Sequence, residues 1–177
     1  DDSLVARKLG VCRSVVCASP AYIKTSGTPS APDDLRHHRG ITHATVGRTD
    51  FRFRQNGQTL RIPVRGQLQS NEAAVTRRAA LAGAGIAMLP TYFVSADLAS
   101  GELIRLLSDY EPEPLGIHGV YLSRQHQPQL LRMMVDFLAD RMRGEVAPWA
   151  RVLASATQRA PSLATPLGQR AAIVEGP

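Results

Sequence analysis

The chain contains only two cysteines, Cys12 and Cys17, among its 177 residues. Two cysteines are too few for the disulfide framework of a small secreted domain and fit a reducing compartment, so we expect a cytoplasmic protein. No apolar run approaches the ~20 residues that an α-helix needs to span a bilayer, and no membrane partner is expected. The first residues, Asp1 to Ser3, are neither an initiator methionine nor the basic start of a signal peptide. We therefore expect the chain to be an internal part of a longer one.

The sequence also lacks the local signatures of common enzymes. It has no His-Glu-x-x-His motif and no cysteine pair at zinc-binding spacing, and its histidines are scattered. Neither Ser19 nor Ser123 lies in a Gly-x-Ser-x-Gly motif, so neither is a candidate nucleophile. The glycines in 82–86 follow a predicted helix and precede a strand, which reverses the order found in a dinucleotide-binding loop. We expect no catalysis, no metal and no cofactor; catalytic groups distant in sequence remain a remote alternative.

Positive charge is the most unusual feature of the composition. Lysine and arginine number 21 against 15 acidic residues, which gives a net charge of +6. Such a balance attracts nucleic acid phosphates in general. Much of the excess, however, lies in 48–65, where arginines alternate with apolar residues at the spacing of a half-buried strand pair. No helix-turn-helix or other DNA-reading motif accompanies them. The charge therefore predicts a solvated sheet face rather than a DNA-binding surface.

The order of apolar runs and turn signals predicts an α/β fold. Strands are expected at 4–9, 15–18, 41–46, 86–89, 103–107 and 119–122, and the apolar run at 15–18 predicts a buried, unreactive Cys17. Asn56-Gly57 supplies the positive φ angles of a type I′ turn and predicts a hairpin of 51–55 with 58–64. Pro63 places the second hairpin strand at an edge or a bulge. Alternation of strands with helices indicates α/β layers around a largely parallel sheet.

Four helical segments are predicted between and after these strands. A single turn is expected at 33–35, and a helix capped by Ser70 or Asn71 follows, with Glu72 complementing its dipole. Val75, Ala79 and Ala82 fall on one face of this second helix. Thr91 is the predicted cap of a third, and Pro128 opens a fourth. In that fourth helix the predicted core positions are Leu131, Met134, Leu138 and Met142.

The N-terminus of the second helix is a candidate anion site. Its first turn presents free N–H groups beside the Ser70 hydroxyl and the Asn71 amide, which suits a carboxylate or phosphate. Every helix needs a cap, so plain capping explains the same residues unless they face a cleft.

A series of landmarks along the chain resembles one protein family. The segments are SLVARKLG at 3–10, VCASPAY at 16–22, NEAA at 71–74, AALAGAGIAMLP at 79–90, GELIRLL at 101–107, YLSR at 121–124 and VDFLA at 135–139. Each is short, but their order and spacing are similar to the effector-binding domain of LysR-type bacterial transcription regulators, in particular the CrgA-like group.

This resemblance implies an α/β fold related to periplasmic binding proteins, with two lobes, two crossover strands and a small effector in the cleft. The domain would occupy 1–143 and a mobile tail 144–177, with the second lobe at about 20–116. The crossovers would lie at about 15–19 and 119–123. Family members normally carry an N-terminal winged helix-turn-helix, a linker helix and the opening half of the first lobe. All three are absent from this chain, so the first lobe is expected to be incomplete and the fragment poorly behaved alone.

The resemblance also implies a set of ligand-binding residues and partners. It points to the crossover at Ser19, to the helix start at Ser70, Asn71 and Glu72, and to the turn at Leu89 and Pro90. The effector would be a small molecule, such as an organic acid or an aromatic compound. DNA would be bound only through the missing N-terminal domain, and the full-length protein would be a homo-oligomer. The alternative is a solute-binding component of a transporter, which shares the two-lobed architecture.

Overall fold

The computed structural model describes residues 4–43, 50–122 and 128–142. Its strands are β1 (Leu4–Cys12), β2 (Ser14–Ala18), β3 (Arg39–His43), β4 (Asp50–Gln55), β5 (Gln58–Pro63), β6 (Arg65–Ser70), β7 (Ile86–Pro90), β8 (Ile104–Leu106), β9 (Glu111–Pro112) and β10 (Leu115–Leu122). Its helices are α1 (Pro20–Ser26), a 3₁₀ helix (Pro32–His37), α2 (Ala73–Leu81), α3 (Thr91–Ser100) and α4 (Gln129–Met142). The α/β class predicted from the sequence is confirmed. The predicted tail and Ser123 lie outside the described residues.

A five-stranded sheet with the order β6-β3-β7-β2-β8 organises most of the described chain. β3 is parallel to both β6 and β7, whereas β2 is antiparallel to its neighbours β7 and β8. Four strands therefore run in one direction and β2 alone runs in the other. The prediction of a largely parallel sheet holds, except that the reversed strand lies inside the sheet. β6 was missed because its sequence, RGQLQS, is mostly polar and exposed.

Apolar residues cover both faces of this sheet. Along β2, Val15 and Cys17 pack on one face with α2 and α3, while Val16 and Ala18 pack on the other. On that second face lie Tyr22 of α1, Leu35 of the 3₁₀ helix, and three residues of the β4–β5 hairpin, Phe51, Phe53 and Ile62. The result is a three-layer arrangement that buries a strand on both sides, as expected for a continuous apolar run.

The β4–β5 hairpin agrees closely with its prediction. Asn56 and Gly57 have φ angles of 50° and 78°, as a type I′ turn requires. β5 is an edge strand of the three-stranded sheet β5-β4-β9, and Pro63 sits in it without disrupting an inner ladder.

A separate antiparallel ribbon of β1 and β10 leads away from the five-stranded sheet. Cys12 is paired with Leu115 at its sheet end and Leu4 with Leu122 at its other end. Of the residues expected to form the first crossover, 15–19, the first four belong to β2, an inner strand of the five-stranded sheet. Arg13 alone separates β1 from β2, so the ribbon leads directly into the sheet.

Helix α4 packs on the ribbon by one face only. Val135 and Ala139 are buried against it, and Arg7 of β1 forms a 2.5 Å ion pair with Asp136. The prediction that Met134 belongs to the core is wrong, because 59% of this residue is exposed. The inner face follows Leu131, Val135, Leu138, Ala139 and Met142, so three of the four predicted core positions lie on it and Val135 takes the place of Met134.

A candidate ligand site at one end of the sheet

The carboxyl ends of three parallel strands meet at the end of the sheet that is nearer the ribbon. Ser70 of β6 is paired with His43 of β3, and β3 and β7 are in register at Ile41 and Ala87. Leu89 therefore lies in the same row as His43 and Ser70. Two strand spacings of about 4.8 Å put Ser70 about 10 Å from Leu89. Ligands of open α/β sheets bind characteristically at the carboxyl ends of strands.

Helix α2 begins at this end, one residue later than expected. The predicted cap, Ser70 or Asn71, is wrong: the N-cap residue is Glu72, and its side chain makes no capping hydrogen bond. The Ser70 hydroxyl instead accepts a 3.0 Å hydrogen bond from the Glu72 N–H and so stabilises the turn between β6 and α2. Asn71 and Glu72 are exposed. The turn is thus built by Ser70, while the α2 N-terminus has no side-chain cap.

The buried face of α2 also differs from the predicted one. Thr76 and Ala80 are buried against the sheet, whereas Val75 and Ala82 are exposed and Ala79 is half-buried. Ala73, Thr76 and Ala80, rather than Val75, form the face of α2 that packs on the core.

Helix α3 begins at the same end of the sheet. Its N-cap is Pro90, which has no side-chain donor or acceptor, so the prediction that Thr91 caps the helix is wrong. Thr91 is instead buried as the first helical residue, and its N–H donates to the Arg13 carbonyl at 2.9 Å. This bond joins α3 to the junction between the ribbon and β2.

Two helix N-termini without side-chain caps therefore lie at one end of the sheet. The first-turn N–H groups of a helix have no partner within the helix, and its dipole favours negative charge there. Five of the six predicted ligand residues, Ser70, Asn71, Glu72, Leu89 and Pro90, belong to this end.

Ser19 lies at the opposite end of the sheet. It follows the last residue of β2, near the start of β7, and about four strand residues, or ~13 Å, separate it from the row of Leu89. Its buried hydroxyl accepts a 3.3 Å hydrogen bond from the Tyr22 N–H and caps α1. The structure therefore does not bring Ser19 together with the other predicted ligand residues.

We expect Ser19→Ala to lower the free energy of unfolding by about 1 kcal/mol, because α1 loses its N-cap. Small-molecule binding at the carboxyl ends of β6 and β7 should remain within twofold of the unmodified chain. Urea denaturation and a ligand titration measure the two quantities. A loss of binding in a folded Ser19→Ala chain would show that Ser19 contributes to the ligand site.

A buried ion pair fixes α2 against α3 behind this end of the sheet. The Arg77 guanidinium donates to both Asp97 oxygens, with Nε–Oδ2 at 2.6 Å and Nη2–Oδ1 at 2.5 Å. Only 2% of Asp97 is exposed. The hydrogen bonds to Asp97 raise the pKa of Arg77. Sequence analysis missed this pair, because two residues 20 positions apart give no local pattern that predicts their contact.

Cys17 lies deep in the core next to α3. Burial, assisted by the negative charge of Asp97, raises the pKa of its thiol from 9.0 to about 12. Both cysteines are free, and burial also raises the pKa of Cys12. A thiol that stays protonated is a poor nucleophile, so the prediction of an unreactive Cys17 agrees with its surroundings.

This raised pKa predicts a loss of stability at alkaline pH. The protonated Cys17 contributes fully below pH 9 and progressively less as pH rises from 9 toward about 12, because only the unfolded chain ionises there. Between pH 8 and pH 10 we expect the chain to lose about 1.4 kcal/mol more than Cys17→Ala loses. Urea denaturation of both proteins at the two pH values measures the difference. Equal losses would show that Cys17 ionises freely in the folded chain.

Within 4–43, 50–122 and 128–142, no group of three or more histidine, cysteine or acidic side chains has an arrangement suited to a metal ion. In the same part of the chain no helix combines the length and apolar character needed to cross a membrane.

Most of the described residues form one lobe of a two-lobed binding fold. This lobe has a mixed sheet with helices on both faces, an antiparallel ribbon that leads out of the sheet, and strand ends that suit a ligand site. The family model "LysR substrate binding domain" matches residues 1–143. The chain belongs to this family. The relatives matched are transcription regulators, and the resemblance inferred from the sequence is confirmed.

Individual relatives support the same assignment. An uncharacterized HTH-type transcriptional regulator of Haemophilus influenzae is 37% identical over 129 residues, which cover 72% of this chain and 45% of that protein. The HTH-type transcriptional activator AaeR of Escherichia coli is 30% identical over 79% of this chain and 46% of its own length. The chain thus spans about half the length of the curated relatives it matches.

Solved structures agree in fold. The regulatory domain of CrgA from Neisseria meningitidis is 28% identical, with a TM-score of 0.66, over 80% of this chain and 71% of that domain. The full-length AphB virulence activator of Vibrio cholerae is 28% identical, with a TM-score of 0.67, over 80% of this chain and 49% of that one. The periplasmic-binding-protein-like fold expected from the sequence is confirmed by these neighbours.

Proposed function

We propose that this domain binds a small anionic effector at the carboxyl ends of β6 and β7, between the N-termini of α2 and α3. The observation that carries the proposal is the pairing of two helix starts without side-chain caps at the end of the sheet that adjoins the ribbon. Effector contacts would come from Ser70, Asn71, Glu72, Leu89 and Pro90. An organic acid, aliphatic or aromatic, suits this end because its carboxylate can accept hydrogen bonds from N–H groups in the first turns of the two helices, apart from that of Thr91, which donates to Arg13.

Glu72 sets a limit on the ligand. Its exposed carboxylate lies at the start of α2, where it interacts favourably with the helix dipole. The same carboxylate repels the negative charge of a bound ligand, and it repels a dianion more than a monoanion. A monoanion with an apolar or hydroxylated body therefore suits the site better than a compact dianion such as phosphate. Leu89 and Pro90 supply the apolar contact.

The opposing wall of the cleft would come from the opening half of the first lobe. An exposed apolar stripe on α4 supports this arrangement: its members are Leu130, Met133, Met134 and Phe137, at helical positions i, i+3, i+4 and i+7. A stripe of this spacing needs a packing partner. The match covers 71% of the solved CrgA regulatory domain, so that domain contains residues beyond those matched by this chain.

In the whole protein, effector binding would alter the relation between the two lobes and thereby the DNA affinity of an N-terminal winged helix-turn-helix. The protein would act in the cytoplasm as a homo-oligomer. The domain limits would be 1–143, with the sheet of the second lobe beginning at β2 and 144–177 forming a tail.

The coding sequence upstream of Asp1 tests this function. It should encode a helix-turn-helix, a linker helix and the first strands and helices of an α/β lobe. A secretory leader in that position would instead make the domain a transporter's solute-binding component, the alternative that the regulator relatives do not favour.

A further inference from the structure

A cavity of about 280 Å³ lies between α4 and the ribbon, away from the sheet end described above. It is lined by Arg7 of β1, Tyr121 of β10 and four residues of α4, Leu131, Arg132, Val135 and Asp136. We propose that it is an accessory site for a small monocarboxylate with a flat apolar body. This inference does not depend on the effector site at β6 and β7.

The ribbon side of the cavity is formed by one residue of each strand, Arg7 of β1 and Tyr121 of β10. Arg7 is directly opposite Gly119 in the antiparallel register, and opposite residues share one face of a ribbon. The space over Gly119 is filled by the Leu9 side chain, so the β10 side of the cavity is formed by Tyr121, which lies opposite Val5. Leu131 and the buried Val135 form an apolar wall toward α4.

The charges around the cavity favour one negative charge. The Arg7 Nη2 is bound to the Asp136 Oδ1 at 2.5 Å, which occupies only one of the five N–H donors of the guanidinium. Arg132 lies one helical turn before Asp136 and has no carboxylate within ion-pair distance among residues 4–43, 50–122 and 128–142. Two guanidinium groups and one carboxylate leave a charge of +1, which a single carboxylate neutralises. Tyr121, also in the lining, carries a hydroxyl that can donate a hydrogen bond.

The volume restricts the ligand to a small molecule. Sites for drug-sized ligands usually begin at about 300 Å³, so this cavity suits a molecule of the size of one substituted ring. A ligand in this cavity would contact β1, β10 and α4 together. It would therefore hold α4 against the ribbon.

Ligand-observed ¹⁹F NMR of the 177-residue chain tests the proposal with 4-fluorobenzoate as the probe. Its neutral isostere, 4-fluorobenzamide, is the control for charge. We expect saturable broadening with 4-fluorobenzoate and at least tenfold weaker binding of the amide. Equal binding of the two probes, or no saturable binding of either, would contradict an anion site.

Two substitutions locate the binding. Arg132→Gln removes an exposed guanidinium and should weaken 4-fluorobenzoate binding at the cavity, followed by the ¹⁵N amide shifts of Arg7 and Tyr121, at least tenfold. Arg141→Gln, on the same helix but outside the cavity, should leave it within twofold. Circular dichroism establishes that each variant is folded. Asp136→Asn raises the cavity charge and should tighten binding severalfold, a gain that misfolding cannot imitate. Binding that is unchanged in both Arg132→Gln and Asp136→Asn would place the carboxylate elsewhere and overturn the proposal.

Discussion

Replacing Phe53 by alanine is expected to lower the free energy of unfolding by about 3–5 kcal/mol. Phe53 is fully buried between the β4–β5 hairpin and the five-stranded sheet, where it packs with Phe51, Ile62 and Val16. Its removal loses the transfer free energy of an aromatic ring and leaves a cavity that an edge hairpin can only partly close. Urea denaturation at low protein concentration, followed by circular dichroism, measures the change.

Phe137 provides a control with the same chemistry. It lies on the outer stripe of α4 and is 62% exposed, so Phe137→Ala should change the stability of this chain by less than about 0.5 kcal/mol. In a longer protein that includes the first lobe, the same substitution should cost considerably more. Similar losses for Phe53→Ala and Phe137→Ala in this chain would mean that the α4 stripe is already covered.

Removing Arg77 should also destabilise the domain strongly. Arg77→Met leaves the carboxylate of Asp97 buried without its bidentate partner, which costs about 3–5 kcal/mol in comparable buried pairs. Arg77 itself is partly exposed, so we expect a loss of about 3 kcal/mol, near the lower end of that range. Arg78→Met, at the exposed neighbouring position on α2, is the matched control and should be nearly neutral.

A double substitution separates the pair from the packing of its side chains. Arg77→Met combined with Asp97→Leu removes both charges, so its loss should be smaller than that of Arg77→Met alone. Additive losses would show that the two residues act independently and that the ion pair does not hold α2 against α3.

Local signals in the sequence were sufficient for most of the fold. The Asn56-Gly57 turn, the apolar run of β2 and the Gly83 C-cap are set by backbone preferences and burial within a few residues. Gly83 has a φ angle of 76°, and the Ala84 N–H bonds to the Ala79 carbonyl, as in a Schellman motif. Such features can be predicted from the sequence, because the residues that determine each one lie within the same short segment.

The features that sequence analysis missed depend on long-range packing. The polar β6 becomes a strand only because β3 offers it a parallel edge, and the one-residue delay of α2 follows from the turn that Ser70 makes after β6. For the same reason the predicted ligand residues divided into two groups. Ser19 follows the carboxyl end of β2, and Leu89 lies near the carboxyl end of β7. Because β2 and β7 are antiparallel, these two carboxyl ends lie at opposite ends of the sheet.

The position of the effector site can be measured directly. Amide chemical shifts of the ¹⁵N-labelled chain, recorded during titration with a panel of aliphatic and aromatic monocarboxylates, report directly on the helix N–H groups that would bind the ligand. We predict saturable shifts at Ala73 and Ala74 in the first turn of α2 and at Phe93 in the first turn of α3. Shifts confined to the opposite end of the sheet, around Ser19 and Gly83, would contradict this placement of the site.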